Sequence, residues 1–151
     1  TVRVTMSELA SQTGLFDGVN LLTLSACQTG LQNKGDEDGR EVDSLANVGQ
    51  QLGAQAVLAS LWNVNDRSTA VFMMEFYKIR QTNPGMAKSE ALQRAQLGML
   101  EGKIKGGGCG PQRLGAGMKE KETTPGYVCD GERPYAHPYY WAPFVLMGNW
   151  K

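Results

Sequence analysis

Cys27 is the residue of this sequence with the clearest potential for covalent chemistry. It lies near the end of the apolar run "LLTLSACQTG", residues 21–30, after the small residue Ala26 and before the polar residue Gln28. A free cysteine is often buried and packs as a small hydrophobic side chain. A thiol at the exit of a strand becomes a nucleophile when a histidine lies beside it. Both interpretations of Cys27 are open on this pattern alone.

His137 is the only histidine of the sequence, and it lies within "YAHPYYW". Because Pro138 and three aromatic residues follow it, one interpretation is a structural imidazole that caps a loop. The other interpretation is a general base for Cys27. If His137 is structural, this sequence contains no base for a cysteine nucleophile.

Other motifs resemble known binding sites but lack residues, neighbouring elements or spacings that such sites require. "GLQNKG" has the glycine spacing of a phosphate loop without its Gly-Lys-Ser/Thr ending, and "GGGCG" neither follows a strand nor precedes a helix. "DEDG" lacks the downstream glutamate of a calcium loop. Cys109, Cys129 and His137 are three possible metal ligands, but the two cysteines do not have the spacing of a metal site. We therefore expect no metal and no cofactor.

The composition is that of an ordinary globular domain. The 151 residues are 41% hydrophobic and 20% charged, and 15 basic residues balance 15 acidic ones. No net field therefore favours nucleic acid or an anionic membrane, and no apolar run reaches the roughly 20 residues of a membrane span. Three cysteines, an odd number, favour a reducing compartment, and we expect a cytoplasmic protein. Because the sequence begins at Thr1, we expect it to be a piece of a longer chain.

The hydrophobic pattern predicts alternating helices and strands. Helices are predicted at residues 6–13, 42–52, 67–81 and 86–100, and strands at 20–26, 55–62 and 139–150. Pro143 assigns the last strand to an edge of the sheet. Residues 102–135 have no period and are predicted to be a Gly-rich insertion. The strand–helix–strand order predicts an α/β fold with a parallel sheet and helices on both faces.

The carboxyl ends of parallel strands meet at one edge of the sheet, where functional groups gather. Cys27 closes the first predicted strand, and residues 63–66 follow the second. We therefore expect Cys27 and this second segment to lie on the same rim.

Taken together, the segments resemble the C-terminal half of a CHAT domain, a caspase-like fold. The resemblance rests on "LLTLSACQTG", "DGREVDSLANVGQQLGAQAVLASLWNVND", "STAVFMMEFYKIR", "KSEALQRAQLGML" and "AHPYYWAPFVLMGNW", in the order of the family. It implies a caspase-like sandwich, present here as a partial domain over residues 1–151, and a relationship to the cysteine endopeptidases that include caspases and separase. The insertion at about 102–135 lies outside the shared pattern.

The resemblance also implies roles for particular residues. Cys27 matches the nucleophile of the family motif S-A-C-x-T-G, whereas the histidine of the family lies upstream of Thr1. Asp66, in "SLWNVND", resembles the separase aspartate that lines a pocket for a basic side chain, although it is equally suited to cap the following helix. Trp62 and Ser60 of the same segment are further substrate-binding candidates.

The implied partners are a protein or peptide substrate and the missing N-terminal half of the domain, on this protein or on another chain. Tetratricopeptide repeats are expected upstream, as in many members of the family. A sheet edge left open by the missing half predicts a homodimer. The alternative to a peptidase is a catalytically silent interaction or signalling module with the same fold.

Overall fold

The computed structural model describes residues 6–24, 40–62, 64, 66–104, 106 and 130–151. In this part of the chain the elements follow the order α1 (Met6–Ala10), β1 (Leu22–Leu24), α2 (Arg40–Gln51), β2 (Ala56–Ser60), α3 (Asp66–Thr82), α4 (Lys88–Leu100) and β3 (Phe144–Gly148). A short 3₁₀ turn, Pro138–Tyr140, precedes β3. The chain divides into two compact units, residues 1–63 with 143–151 and residues 64–142.

The first unit contains a sheet in which β2 is the central described strand. β1 runs parallel to β2, with Leu24 opposite Ala59, and β3 runs antiparallel to it, with Val145 opposite Ala59. The predicted α/β class with a parallel strand pair is confirmed. β3 lies at one end of the described strand order, as Pro143 predicts, and it adds an antiparallel edge of the kind that many α/β sheets carry.

Helix α2 covers one face of this sheet. The side chains on that face form a common apolar cluster, and its members are Ala46, Ala54, Val57 and Ala59, with Phe16, Leu22, Leu24 and Met147 packed against them. Leu58, which points to the opposite face, is also fully buried. Because both of its faces are buried, the sequence of β2 is almost continuously apolar.

Gly53 follows the last turn of α2, directly after residue 52, the predicted end of this helix. Its φ of +108° is a conformation that residues with a Cβ rarely adopt, so a glycine is the natural residue here. The turn packs against the preceding segment, because the Phe16 amide donates to the Leu52 carbonyl at 2.8 Å and the Gln55 amide donates to the Val19 carbonyl at 2.9 Å.

The second unit is built on a hairpin of α3 and α4. Phe72 and Phe76 on α3 are fully buried, and so are the small residues Ala91 and Ala95 on α4. Small side chains allow two helix axes to approach closely, and the two helices pack directly on each other. Arg94 and Glu90 of α4 form an exposed ion pair, with 2.7 Å between the guanidinium nitrogen and the carboxylate oxygen.

Tyr135 anchors one end of the predicted insertion in the second unit. Its residue surface is only 6% exposed, and its hydroxyl donates to the Gly106 carbonyl at 3.0 Å. Burial raises the pKa of Tyr135 above the ordinary value of 10.0, and Arg67 opposes this to a smaller extent. The neutral phenol is therefore the form that the fold prefers.

We expect Tyr135→Phe to lower the free energy of unfolding by about 1 kcal/mol at neutral pH, because the Gly106 carbonyl loses its donor. A raised pKa stabilises the fold below the pKa of the unfolded chain, about 10, and this contribution disappears as the pH rises through the folded value. The variant should therefore lose less stability than the unchanged protein between neutral pH and pH about 11. Urea denaturation at both pH values measures this difference. Equal losses in the two proteins would contradict it.

The structure corrects several predicted boundaries. Helix α1 ends at Ala10 and not at residue 13, and helix α2 begins at Arg40, two residues before its predicted start. The strand predicted for 139–150 is wrong at its start, because Pro138 opens a 3₁₀ turn and β3 covers only Phe144–Gly148. Proline suits the first position of a helical turn, since its φ is already fixed near the helical value. No helix within the described ranges is both long and apolar enough to span a membrane.

Candidate functional site

The parallel pairing of β1 and β2 defines the rim at which the candidate site was predicted. Leu24 ends β1 opposite Ala59, and Ser60 ends β2 one residue later. The chain segments that follow these two strands therefore leave the sheet at the same edge. The segment after Leu24 leads to Cys27, which itself lies outside the described residues.

Ser60 and Trp62 are brought together at this rim. The Ser60 hydroxyl donates to the Trp62 carbonyl at 3.0 Å. Ser60 is 7% exposed, whereas Trp62 is 40% exposed, so two neighbouring candidates differ sharply in their access to solvent. The hydrogen bond closes a tight turn directly after β2.

A second hydrogen bond fixes the same turn. The Leu61 amide donates to the Pro143 carbonyl at 3.0 Å, which extends the β2–β3 pairing by one residue. This contact was not predicted from the sequence, because the antiparallel pairing of the last strand leaves no local signal. Pro143 lacks an amide donor, but its carbonyl accepts normally.

Asp66 is the first residue of α3 and belongs to the second unit. Its position agrees with the prediction that a helix starts beside it. The side chain of Asp66 lies outside the described part of the structure. Its role in a substrate pocket therefore stays a prediction.

His137 caps the 3₁₀ turn that precedes β3. Its Nδ1 accepts a hydrogen bond from the Tyr139 amide at 3.2 Å, which requires this nitrogen to carry no proton. Close by, Tyr139 and Tyr140 form an edge-to-face ring pair, and the Trp141 indole donates to the Ala136 carbonyl. The first of the two interpretations of His137, a structural imidazole that caps a loop, describes this geometry.

Removing this cap tests the role of His137. We expect His137→Ala to lower the free energy of unfolding by about 1 kcal/mol, because the Tyr139 amide loses its acceptor. His137→Asn keeps a side-chain acceptor and should lose less. Thermal denaturation compares the two variants. If alanine and asparagine cost the same, the hydrogen bond contributes nothing to stability.

Within the described ranges, no group of three His, Cys, Asp or Glu side chains is arranged to hold a metal ion. Cys109 and Cys129 lie outside these ranges.

Comparison with known proteins decides the family. A family model described as CHAT domain matches residues 2–149. The chain belongs to the CHAT domain family. The resemblance drawn from "LLTLSACQTG" and the segments after it is thereby confirmed. No curated protein and no solved structure gives a significant match.

The CHAT family is related to caspase-like peptidases, and the mixed α/β fold with its parallel pair is consistent with this relationship. In this CHAT domain the Ser60–Trp62 turn and the end of β1 form the described part of the rim.

Proposed function

We propose that this CHAT domain is part of a cysteine endopeptidase of the caspase and separase type. Cys27 is the nucleophile, and a histidine from an upstream segment outside this sequence is the base. Asp66 is a candidate to bind a basic side chain of the substrate, and Trp62 is a separate substrate-binding candidate. The substrate is a protein or a peptide.

The observation that carries the proposal is the shared rim of β1 and β2. The register sets Leu24 beside Ala59, so the segment containing Cys27 and the Ser60–Trp62 turn both start from one edge of the sheet. A nucleophile from one strand end and a binding surface from the next can then act on one substrate. His137 is already engaged as a cap through Nδ1, which supports a base from outside this sequence.

The proposed reaction is acyl transfer. The histidine removes the proton from the Cys27 thiol, and the thiolate attacks the scissile carbonyl to form a carbon–sulfur bond. Backbone amides at the strand exits stabilise the oxyanion. The peptide C–N bond then breaks as the histidine returns the proton to the amine. Water hydrolyses the thioester and restores the thiol.

The cellular setting is proposed from the chemistry of the thiol and from the family. A reactive cysteine needs a reducing compartment to stay unoxidised, which supports the cytoplasm. The proposed partners are the upstream half of the domain, with the histidine, and tetratricopeptide repeats beyond it. The outer edge of the sheet is proposed to pair with that half or with a second copy of the chain.

The test uses the full-length gene product. Its sequence should contain a His-Gly pair upstream of this segment, and an alkylating reagent near neutral pH should label Cys27 faster than Cys109 and Cys129. Cleavage of a peptide library should then depend on Cys27. An inert Cys27 in a protein that lacks the upstream histidine would instead support a silent interaction module.

A further inference from the structure

We infer that Ser60 is a positioning residue, which holds the Trp62 segment in place at the rim and does not itself contact the substrate. This inference rests on the proposed function for the part that concerns substrate. Its structural part, that Ser60 sets the position of Trp62, stands on the geometry after β2 alone.

The first step concerns the hydroxyl of Ser60. Ser60 is the last residue of β2, lies opposite Phe144 and is 7% exposed. A hydroxyl buried to this extent needs a partner within the protein. Its donor is already used in the bond to the Trp62 carbonyl at 3.0 Å. Little of Ser60 is therefore left for a substrate to contact.

The second step concerns the backbone of the turn. The Leu61 amide is held by the Pro143 carbonyl at 3.0 Å, and the Trp62 carbonyl is held by Ser60. Leu61 and Trp62 are thus each held by a hydrogen bond. The first bond joins backbone groups and survives any side-chain substitution, whereas the second is lost when the hydroxyl of Ser60 is removed.

The third step concerns the side chain that this turn presents. Trp62 is 40% exposed, although tryptophan is highly buried on average in folded proteins. An indole offers a large apolar face to a substrate side chain, and an ordered backbone beneath it lowers the entropic cost of binding. Ser60 therefore acts on substrate binding through the position of Trp62.

The structural readout is ¹⁹F NMR of the full-length protein labelled with 5-fluorotryptophan. The Trp62 resonance is the one lost in the Trp62→Phe variant. We expect Ser60→Ala to shift or broaden this resonance and to leave those of Trp141 and Trp150 unchanged. Ser60→Thr keeps the hydroxyl and should retain the original Trp62 signal. Ser11→Ala is the matched control, because it also removes a hydroxyl bound to a backbone carbonyl, that of Glu8 at 2.7 Å.

The functional readout is peptide cleavage by the same proteins. Loss of one hydrogen bond should raise KM by about 2- to 10-fold in Ser60→Ala, with a smaller change in kcat. Ser60→Thr and Ser11→Ala should keep the original KM. Should Ser60→Ala fail to fold, Ser60→Cys makes the same comparison, because a thiol is a weak donor of similar size.

An unchanged Trp62 resonance in Ser60→Ala would overturn the inference. A changed resonance with unchanged KM would overturn its link to substrate. If the unsubstituted protein cleaves no peptide, the proposed function fails. The NMR comparison still decides whether Ser60 positions Trp62, so the two failures are distinguishable.

Discussion

Cys27→Ser in the full-length protein is expected to reduce kcat for peptide cleavage by about 10³-fold or more. The thiol supplies the electron pair that forms the acyl-enzyme, and a serine hydroxyl beside a histidine tuned to a thiol is a much poorer nucleophile. The measurement is single-turnover cleavage of a peptide identified by library screening. Mass spectrometry of the trapped thioester on Cys27 gives a second, independent readout.

The other two cysteines provide the control for this result. Cys109→Ser and Cys129→Ser remove a thiol of the same chemistry from the same chain, and we expect both to keep the original rate. Full activity of Cys27→Ser would show that the acyl-enzyme does not form at this residue. Equal losses in all three variants would indicate an effect of stability and not of catalysis.

Gly53→Ala is expected to have the largest effect on stability, a loss of about 3 kcal/mol. The φ of +108° disfavours any residue with a Cβ, and the added methyl carbon would lie 2.8 Å from the Asp17 amide nitrogen and 3.0 Å from its Cα. Because these atoms belong to the backbone, they cannot move aside as a flexible side chain does. The expected fall in Tm is about 6–12 °C.

Gly85→Ala is the matched control for that substitution. Gly85 lies in the turn between α3 and α4, and a Cβ added there meets no atom within 4 Å. We expect a change within about 0.5 kcal/mol, with slight stabilisation through the unfolded chain. Calorimetry of both variants measures the contrast. A Gly53→Ala protein as stable as Gly85→Ala would mean that the turn after α2 readily adopts another conformation.

Local pattern was sufficient for much of the fold. Residues 67–81 and 86–100 were predicted as helices because their apolar side chains recur at helical spacing, and α3 and α4 agree within one or two residues at each end. Residue 52 was predicted as the end of α2, and Gly53 directly after it takes the positive φ that glycine readily adopts. The apolar run at 55–62 was predicted to be a strand because it is short and almost continuously apolar, and β2 occupies Ala56–Ser60 within it.

Pairing between segments far apart in sequence accounts for most of the features that the sequence did not predict. The direction of β3 relative to β2 depends on where the chain returns to the sheet, and no residue within Phe144–Gly148 encodes it. The bond from the Leu61 amide to the Pro143 carbonyl follows from that direction, since it joins segments far apart in sequence. The 3₁₀ turn was missed although Pro138 is a local signal for it, because the apolar residues around it were read as strand.

Some features of the candidate site were likewise set by the local sequence, and others only by the tertiary structure. The sequence by itself determined the family, the thiol of Cys27 and the segment "SLWNVND" that follows the second strand, because motifs and their order are properties of the chain. Only the tertiary structure decided that Ser60 is buried while Trp62 is exposed. The reason is physical: the exposure of a side chain depends on all the segments that pack around it, and these are brought together by pairing and not by sequence neighbourhood.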